Sequence, residues 1–370
     1  MKRLLLIGGG HAHLEVLRSV IRRPLRGSDL VLVSPYPRHH YSSMVAGFFQ
    51  GTYSEPEFAF DLVALCRRSG ARFVEAKAER INVAERSVET EGERISFDLL
   101  SIDIGSEPVG KNTPGVAEHA YSVRPMTRAL ELKRAVMNLK AKPSVCVVGG
   151  GAAGVEITLA IHRMISGVSR RTDITVLERD ATVLAEYDDR VRALAVHTLR
   201  ERGIHVRTDA TVASVSHNEI RVGSGETLRS DLTVWLTGPA ASELLLRSDL
   251  PKSDDGFLLV DRTLRAVDGS PVWGAGDCVT LRDFPVTPRT GVYAVREAPV
   301  LAYNLRAALT GEPPRSYAPQ PHFLAILNTA DGKALLRWHF LASHSRRAWW
   351  LKDYIDRAFM RKYQGLVRDT

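Results

Sequence analysis

The chain opens MKRLLLIGGGHAHLEVLR (residues 1–18), and at residues 143–161 it reads PSVCVVGGGAAGVEITLAI. Each stretch is a short apolar run feeding a glycine cluster and then a helical pattern. The second has Gly149, Gly151 and Gly154 at full G-x-G-x-x-G spacing, whereas the first has Gly8, Gly10 and then His13. In such a turn the first glycine permits the tight strand-to-helix bend and the second lets the backbone approach a pyrophosphate. The third lets helix and strand pack closely, with the free N–H groups of the helix facing the phosphates. His13 keeps the first two functions and compromises the third. The expectation is a helix seated slightly farther from its strand, or an imidazole that points away. Glu15 falls on Glu156 in this alignment.

A longer duplication supports the pairing. Residues 70–105, GARFVEAKAERINVAERSVETEGERISFDLLSIDIG, align without a gap on residues 203–238, GIHVRTDATVASVSHNEIRVGSGETLRSDLTVWLTG, matching Gly70 with Gly203, Asp98 with Asp231 and Gly105 with Gly238. Each copy reads as a small antiparallel meander and then an apolar strand ending in glycine. A single glycine fingerprint is weak, but two in register with duplicated flanks imply two related nucleotide-binding halves. The fold expected is α/β, with two Rossmann-like dinucleotide-binding domains, each a three-layer parallel sheet with a meander, and a short C-terminal segment. In the second half DITVLERD puts Glu178 at the strand end, where a carboxylate bonds the ribose 2′-OH and disfavours a 2′-phosphate. NADH is favoured on that ground, although the neighbouring Arg179 argues the other way; in the first half Ser34 holds the position. His11 and His13 lack an acidic or cysteine partner nearby, so no metal site is expected.

The 370 residues are 44% hydrophobic and 25% charged, the balance of a soluble globular protein. Cys66, Cys146 and Cys278 are far apart and odd in number, which argues against a disulfide framework and for a reducing compartment. The LLLI run is too short for a signal peptide, and no apolar stretch approaches a membrane span. The net charge of +8 is concentrated at the end, where residues 333–370 carry nine Lys and Arg against three Asp. A local anionic partner such as lipid head groups suits that distribution better than nucleic acid, for which no reading module is present.

On these residues the chain resembles the FAD-dependent pyridine nucleotide-disulfide oxidoreductases, and in layout the type II NADH dehydrogenases. GGGHAHLEVLR, PYPRHHYSSMVAGFF, LLSIDIGSEP, VCVVGGGAAGVE, VWGAGDC, PRTGVYAVREAPVLAYNL and WWLKDYIDRAFMRKY carry the resemblance. Within that superfamily they look most like the oxidoreductase domain associated with selenide, water dikinase (selenophosphate synthetase). The resemblance implies FAD in the first half, at Gly8, Gly10, His11, Ser34 and Gly105. Gly276 and Asp277 then stand near the ribityl chain and phosphate, and Thr290 or Gly291 opens a helix aimed at the flavin. It implies NAD(P)H at Gly149, Gly151, Gly154, Glu178 and Gly238, with Glu156 on the nicotinamide side or bracing its helix. His39, His40 and Tyr41 line the flavin pocket or a surface loop.

Two departures narrow the chemistry. The close cysteine pair of disulfide reductases and the flanking cysteines of sulfide:quinone reductases are missing, so a redox disulfide is not expected. Arg296 and Glu297 stand where quinone-reducing relatives carry glutamines, which puts a quinone acceptor in doubt. The reaction implied is hydride transfer from nicotinamide to flavin, then electron delivery to a quinone or other small acceptor. The alternative is a nucleotide-binding accessory protein of selenium metabolism with little turnover. The FAD domain is expected to be discontinuous, residues 1–110 and 255–320, with the NAD(P)H domain at 111–254 and a C-terminal piece at 321–370. In that piece HFLAILNT and KALLRWHFL read as two strands around Asp331-Gly332. Residues 346–363 read as an amphipathic helix with Trp350, Leu351, Tyr354, Ile355, Ala358 and Phe359 on one face. Lys352 borders that face and Asp353 and Asp356 lie opposite, a pattern that fits an anionic membrane surface or packing on protein. The location expected is cytoplasmic, with a peripheral contact at the inner face of the plasma membrane.

Overall fold

A computed structural model of the protein describes residues 1–125, 127–140, 142–166 and 172–368. Strand β1 (Lys2–Ile7) turns into helix α1 (His11–Arg22), followed by β2 (Ser28–Ser34), α2 (Leu62–Ser69), β3 (Arg72–Glu75) and β4 (Leu99–Ile102). A short β5 (Ala120–Tyr121) precedes the second series: β6 (Ser144–Val148), α3 (Ala152–Ser166), β7 (Asp173–Leu177), α4 (Asp189–Glu201), β8 (His205–Arg207) and β9 (Leu232–Trp235). Then come β10 (Val272–Gly274) and α5 (Gly291–Thr310). The chain finishes with β11 (Ala325–Asn328), β12 (Ala334–Trp338), β13 (Leu341–Ser345) and α6 (Arg346–Arg368).

Two five-stranded sheets result, ordered β10-β4-β1-β2-β3 and β5-β9-β6-β7-β8, and every pairing in both is parallel. The near-continuous apolar runs of β1 and β6 explain this, because a parallel strand covered on both faces needs no polar alternation. Leu4, Leu5 and Leu6 are fully buried, as are Val145 and Val147. The two sheets share even their tie points. The backbone N–H of Arg3 donates to Asp98 Oδ2 (2.6 Å), and that of Ser144 donates to Asp231 Oδ2 (2.8 Å). Each half also carries a three-stranded antiparallel meander between its third and fourth strands. The fold is the α/β arrangement read from the sequence, and β10 completes the first sheet only after the second has been built.

The C-terminal piece departs from expectation in two ways. β11 and β12 pair around the Asp331–Gly332 turn, but the second strand ends at Trp338 and β13 adds a third strand that the two-strand reading of this piece does not contain. In α6 the buried face runs through Ala348, Lys352, Asp356, Met360 and Tyr363. Lys352 and Asp356, placed by the helical wheel at the border and on the far side, are therefore core residues. Their burial is satisfied because Lys352 Nζ donates to Asp356 Oδ2 (3.0 Å) and to both the carbonyl and hydroxyl of Ser43. Trp350 and Tyr354, 66% and 67% exposed, are left facing out.

Candidate functional site

The glycine turn of the second half is stereochemically complete. Gly149 has φ +107°, and a Cβ on Gly154 would lie 1.9 Å from the Gly149 carbonyl oxygen, so only glycine lets α3 close on β6. Around Gly151 and Gly238 a Cβ would meet nothing within 4 Å, which leaves open space beside the turn. Glu178, at the end of β7, accepts from the N–H groups of Gly150 (2.5 Å) and Asp180 (2.9 Å). Its carboxylate is thus fixed at the rim of the turn, with lone pairs remaining for a ribose hydroxyl.

The first half solves the same turn differently. Gly8 has φ +90°, but His13 neither points away nor stays out of the packing. Its fully buried imidazole bridges helix and sheet, with Nδ1 on the Gly8 carbonyl (2.6 Å) and Nε2 on Ser101 Oγ (2.8 Å). Burial pushes it down to about 4, so the ring is neutral and has one donor and one acceptor for these two partners. His11, expected at the cofactor, turns its ring into an aromatic cluster with His39, Tyr41 and Phe359, and burial drives it down to about 4 as well. Its backbone N–H alone remains at the turn. Ser34 Oγ closes its own loop, donating to the Tyr36 carbonyl (3.0 Å). His39 and His40 lie on a short strand paired antiparallel with residues 59–61, and His40 Nε2 meets Glu55 Oε1 at 3.0 Å.

Gly276 and Asp277 face the same end of the first sheet. Gly276 has φ +76°, and its N–H donates to Glu297 Oε2 (2.6 Å) on α5. Burial, reinforced by Asp103 and Asp277, pushes Glu297 up to about 8 despite that bond. Asp277 is likewise raised by burial, with Arg124 (3.9 Å away) and Arg289 opposing. Gly276, Asp277, Arg289, Thr290 and Tyr293 line a common pocket at the N-terminus of the 20-residue α5. Thr290 Oγ1 is buried there without a hydrogen-bond partner. Gly105 (φ +69°) and Gly291 leave open space around their Cα atoms. An unpaired hydroxyl, a helix dipole end and an unencumbered glycine turn fit a flavin and its ribityl chain. Cys278, fully buried beside Asp103, is pushed above the usual thiol range by burial, while Cys66 and Cys146 are pushed up to about 12 and about 11. None is poised as a nucleophile.

Glu156 leaves its helix toward the C-terminal sheet. Its Oε1 accepts from the Asn328 N–H (2.6 Å), and burial pushes it up to about 7 although Lys352 opposes. Its counterpart Glu15 meets the same terminal helix through Lys362 (2.8 Å) and the Tyr363 hydroxyl (2.9 Å). Burial would raise Glu15 too, but Arg18 and Lys362 outweigh it and hold the carboxyl below its usual value. Sequence reasoning missed Asp103, Lys352, Asp356 and Asn328. Only Asp103 left a signal, since it stands at 133 residues' offset from Leu236 in the duplicated segment.

A family model described as pyridine nucleotide-disulphide oxidoreductase matches residues 2–298. A demethylphylloquinone reductase of Synechocystis is 26% identical over 352 residues, spanning 90% of this chain and 86% of that one. A type II NADH:quinone oxidoreductase of Haemophilus influenzae is 23% identical, spanning 86% and 83%. Among solved structures, the NDH2 protein of Plasmodium falciparum in complex with NADH superposes with a TM-score of 0.82 at 15% identity, covering 97% of this chain and 96% of that one. The sulfide:quinone oxidoreductase of Aquifex aeolicus gives 0.81 at 19% identity, covering 99% and 92%.

Proposed function

Because the chain belongs to the pyridine nucleotide-disulphide oxidoreductase family, we infer that it is an FAD-dependent NAD(P)H dehydrogenase of the type II kind, delivering electrons to a quinone. When bound, FAD would supply the hydride- and electron-transfer chemistry; the protein orients, encloses and holds protons. The observation that carries this reading is the pair of in-register glycine turns at Gly8 and Gly149, each opening a parallel sheet. Residues 1–110 and 255–320 take FAD, through the turn at Gly8 and Gly10 and the pocket of Gly276, Asp277 and Thr290. Residues 111–254 take NAD(P)H, with Glu178 at the adenosine ribose favouring NADH. Glu156 borders the nicotinamide side and holds its proton near neutral pH. Quinone as acceptor comes from the names of the relatives from Synechocystis and Haemophilus.

The test is an anaerobic titration of the FAD-loaded protein with NADH. The visible flavin band should bleach with one equivalent and return when a menaquinone analogue is added. A colourless protein that takes up no FAD on reconstitution sinks the reading. A role beside selenophosphate synthetase rests on the sequence resemblance alone; a protein that binds FAD but is not reduced by NADH would favour it.

Attachment to an anionic membrane surface is the second part of the proposal. Trp350, Leu351, Tyr354 and Ile355 of α6 are exposed, as are Trp338, Phe340 and Leu341 of the adjoining hairpin. Among the described residues no helix is long and apolar enough to cross a membrane. Aromatic side chains backed by basic residues suit the headgroup layer. Removing α6 would uncover Phe60, on which Phe359 and Tyr363 pack, so substitution is the cleaner probe: Trp350→Ser with Tyr354→Ser and Phe340→Ser should abolish sedimentation with anionic liposomes. Unchanged sedimentation counts against it.

A further inference from the structure

The first-turn amides of a helix have no partner within the helix, and they are the donors that receive a dinucleotide's pyrophosphate. In α3 the first intrahelical bond runs from the Val155 N–H to the Gly151 carbonyl. Among the described residues no side chain takes the amides of Ala152, Ala153 or Gly154. In α1 the corresponding bond runs from Leu14 to Gly10, but here one side chain occupies the turn. Asp103 Oδ2 accepts from the N–H groups of Ala12 (2.8 Å) and His13 (3.0 Å), and the Asp103 carbonyl accepts from Gly10 (3.2 Å). Among the described residues, the first-turn amide left without a partner is the His11 N–H.

The duplication shows that this is a local choice. Asp103 aligns with Leu236 at the same offset of 133 that pairs Gly105 with Gly238. Both residues press their carbonyl oxygens on the first glycine: a Cβ would lie 2.3 Å from Asp103 O at Gly8 and 2.4 Å from Leu236 O at Gly149. One backbone position thus carries an isobutyl group in one half and a carboxylate in the other. The Asp103 side chain is 3% exposed and also reaches the second motif, since a Cβ on Gly276 would lie 3.1 Å from its Oδ1. Around it stand Asp277 and Cys278 from the turn after β10, Glu297 from α5 and the neutral His13 from α1. The cations Arg124 and Arg289 act on Asp277.

We propose that Asp103 is a built-in stand-in for the cofactor's phosphate: it satisfies the α1 N-terminus when FAD is absent, competes with the pyrophosphate when FAD binds, and so sets the affinity of a dissociable FAD. This rests on the reading of the first half as the FAD site. Burial pushes the carboxyl up to about 7, so it gains its charge across neutrality. A charged competitor repels the pyrophosphate, and FAD affinity therefore falls as the pH rises.

The experiment is the dissociation constant of FAD for the apoprotein, from flavin fluorescence between about pH 6 and 8.5, with thermal unfolding of the apoprotein alongside. Asp103→Asn keeps an acceptor for the helix amides and removes the charge; Asp103→Leu copies the other half. Wild-type affinity should fall about tenfold per pH unit above pH 7, the slope of one linked proton. Both variants should bind FAD about tenfold tighter at pH 8 with a flatter profile, and Asp103→Leu should also lower the apoprotein Tm. Glu297, raised to about 8, titrates in every variant and forms a common background. Variants with wild-type affinity and slope would make Asp103 a helix cap and overturn the proposal. If neither wild type nor variants take up FAD, the FAD reading itself fails and the proposal goes with it.

Discussion

The turn at Gly8 and the turn at Gly149 answer one packing problem with opposite chemistry. In the second half, closeness is obtained by removing matter: Gly154 lets α3 rest against a carbonyl 1.9 Å from where its Cβ would be. In the first half, an imidazole fills the gap and bonds that same carbonyl, Gly8 O, while Ser101 takes its other nitrogen. Ser101 aligns with Val234, so the exchange involves two positions: glycine facing valine in one copy, histidine facing serine in the other. A buried imidazole costs its desolvation unless both nitrogens are paired, and here both are. The lesson is that the third glycine of a dinucleotide turn is a packing requirement with more than one solution, whereas the positive φ of the first glycine has no substitute.

The comparison can be broken by swapping its terms. Gly154→His places a side chain where no Cβ fits, and without the Ser at 234 the ring has no partner. NADH binding should be lost altogether, with a destabilisation above about 3 kcal/mol, measured by nicotinamide fluorescence and urea unfolding. His13→Gly leaves a cavity and an unpaired Ser101 hydroxyl, and should cost about 2–4 kcal/mol in urea unfolding. Adding Ser101→Val to it should recover about 1 kcal/mol; with Ser101→Val measured alone as well, a double-variant loss equal to the sum of the two single losses would mean the two positions are not coupled.

The buried acids sharpen the contrast by pH. Glu297 and Glu156 have folded values raised to about 8 and about 7, so the native state holds their protons where the unfolded chain has released them. Their contribution is full below the unfolded carboxyl range and is lost as pH rises through 7 to 8. Above about pH 6.5, where the buried His11 and His13 no longer add stability with rising pH, the apoprotein Tm should therefore drop by several degrees, to about pH 8.5, and Glu297→Gln should flatten part of that drop. A Tm that rises over this range would contradict the burial of these groups. The smallest effect concerns Glu178. Glu178→Ala removes the 2′-OH acceptor and should shrink the NADH over NADPH preference in kcat/KM by about tenfold. An unchanged ratio would mean that Glu178 does not set the discrimination.

The sequence by itself determined the duplicated α/β plan, because glycine stereochemistry and apolar runs are local properties that survive in a one-dimensional text. Gly8, Gly149, Gly276 and the start of α5 at Thr290–Gly291 fall in that class. It also marked the amphipathic end helix, although not which of its faces is buried. Tertiary structure alone decided the rest. His13 looked like damage until Ser101, 88 residues away, supplied the second bond. Lys352 and Asp356 read as solvated charges until Ser43, over 300 residues upstream, accepted the ammonium. A polar side chain is placed by the partner that repays its desolvation, and when that partner lies far along the chain no local pattern records it.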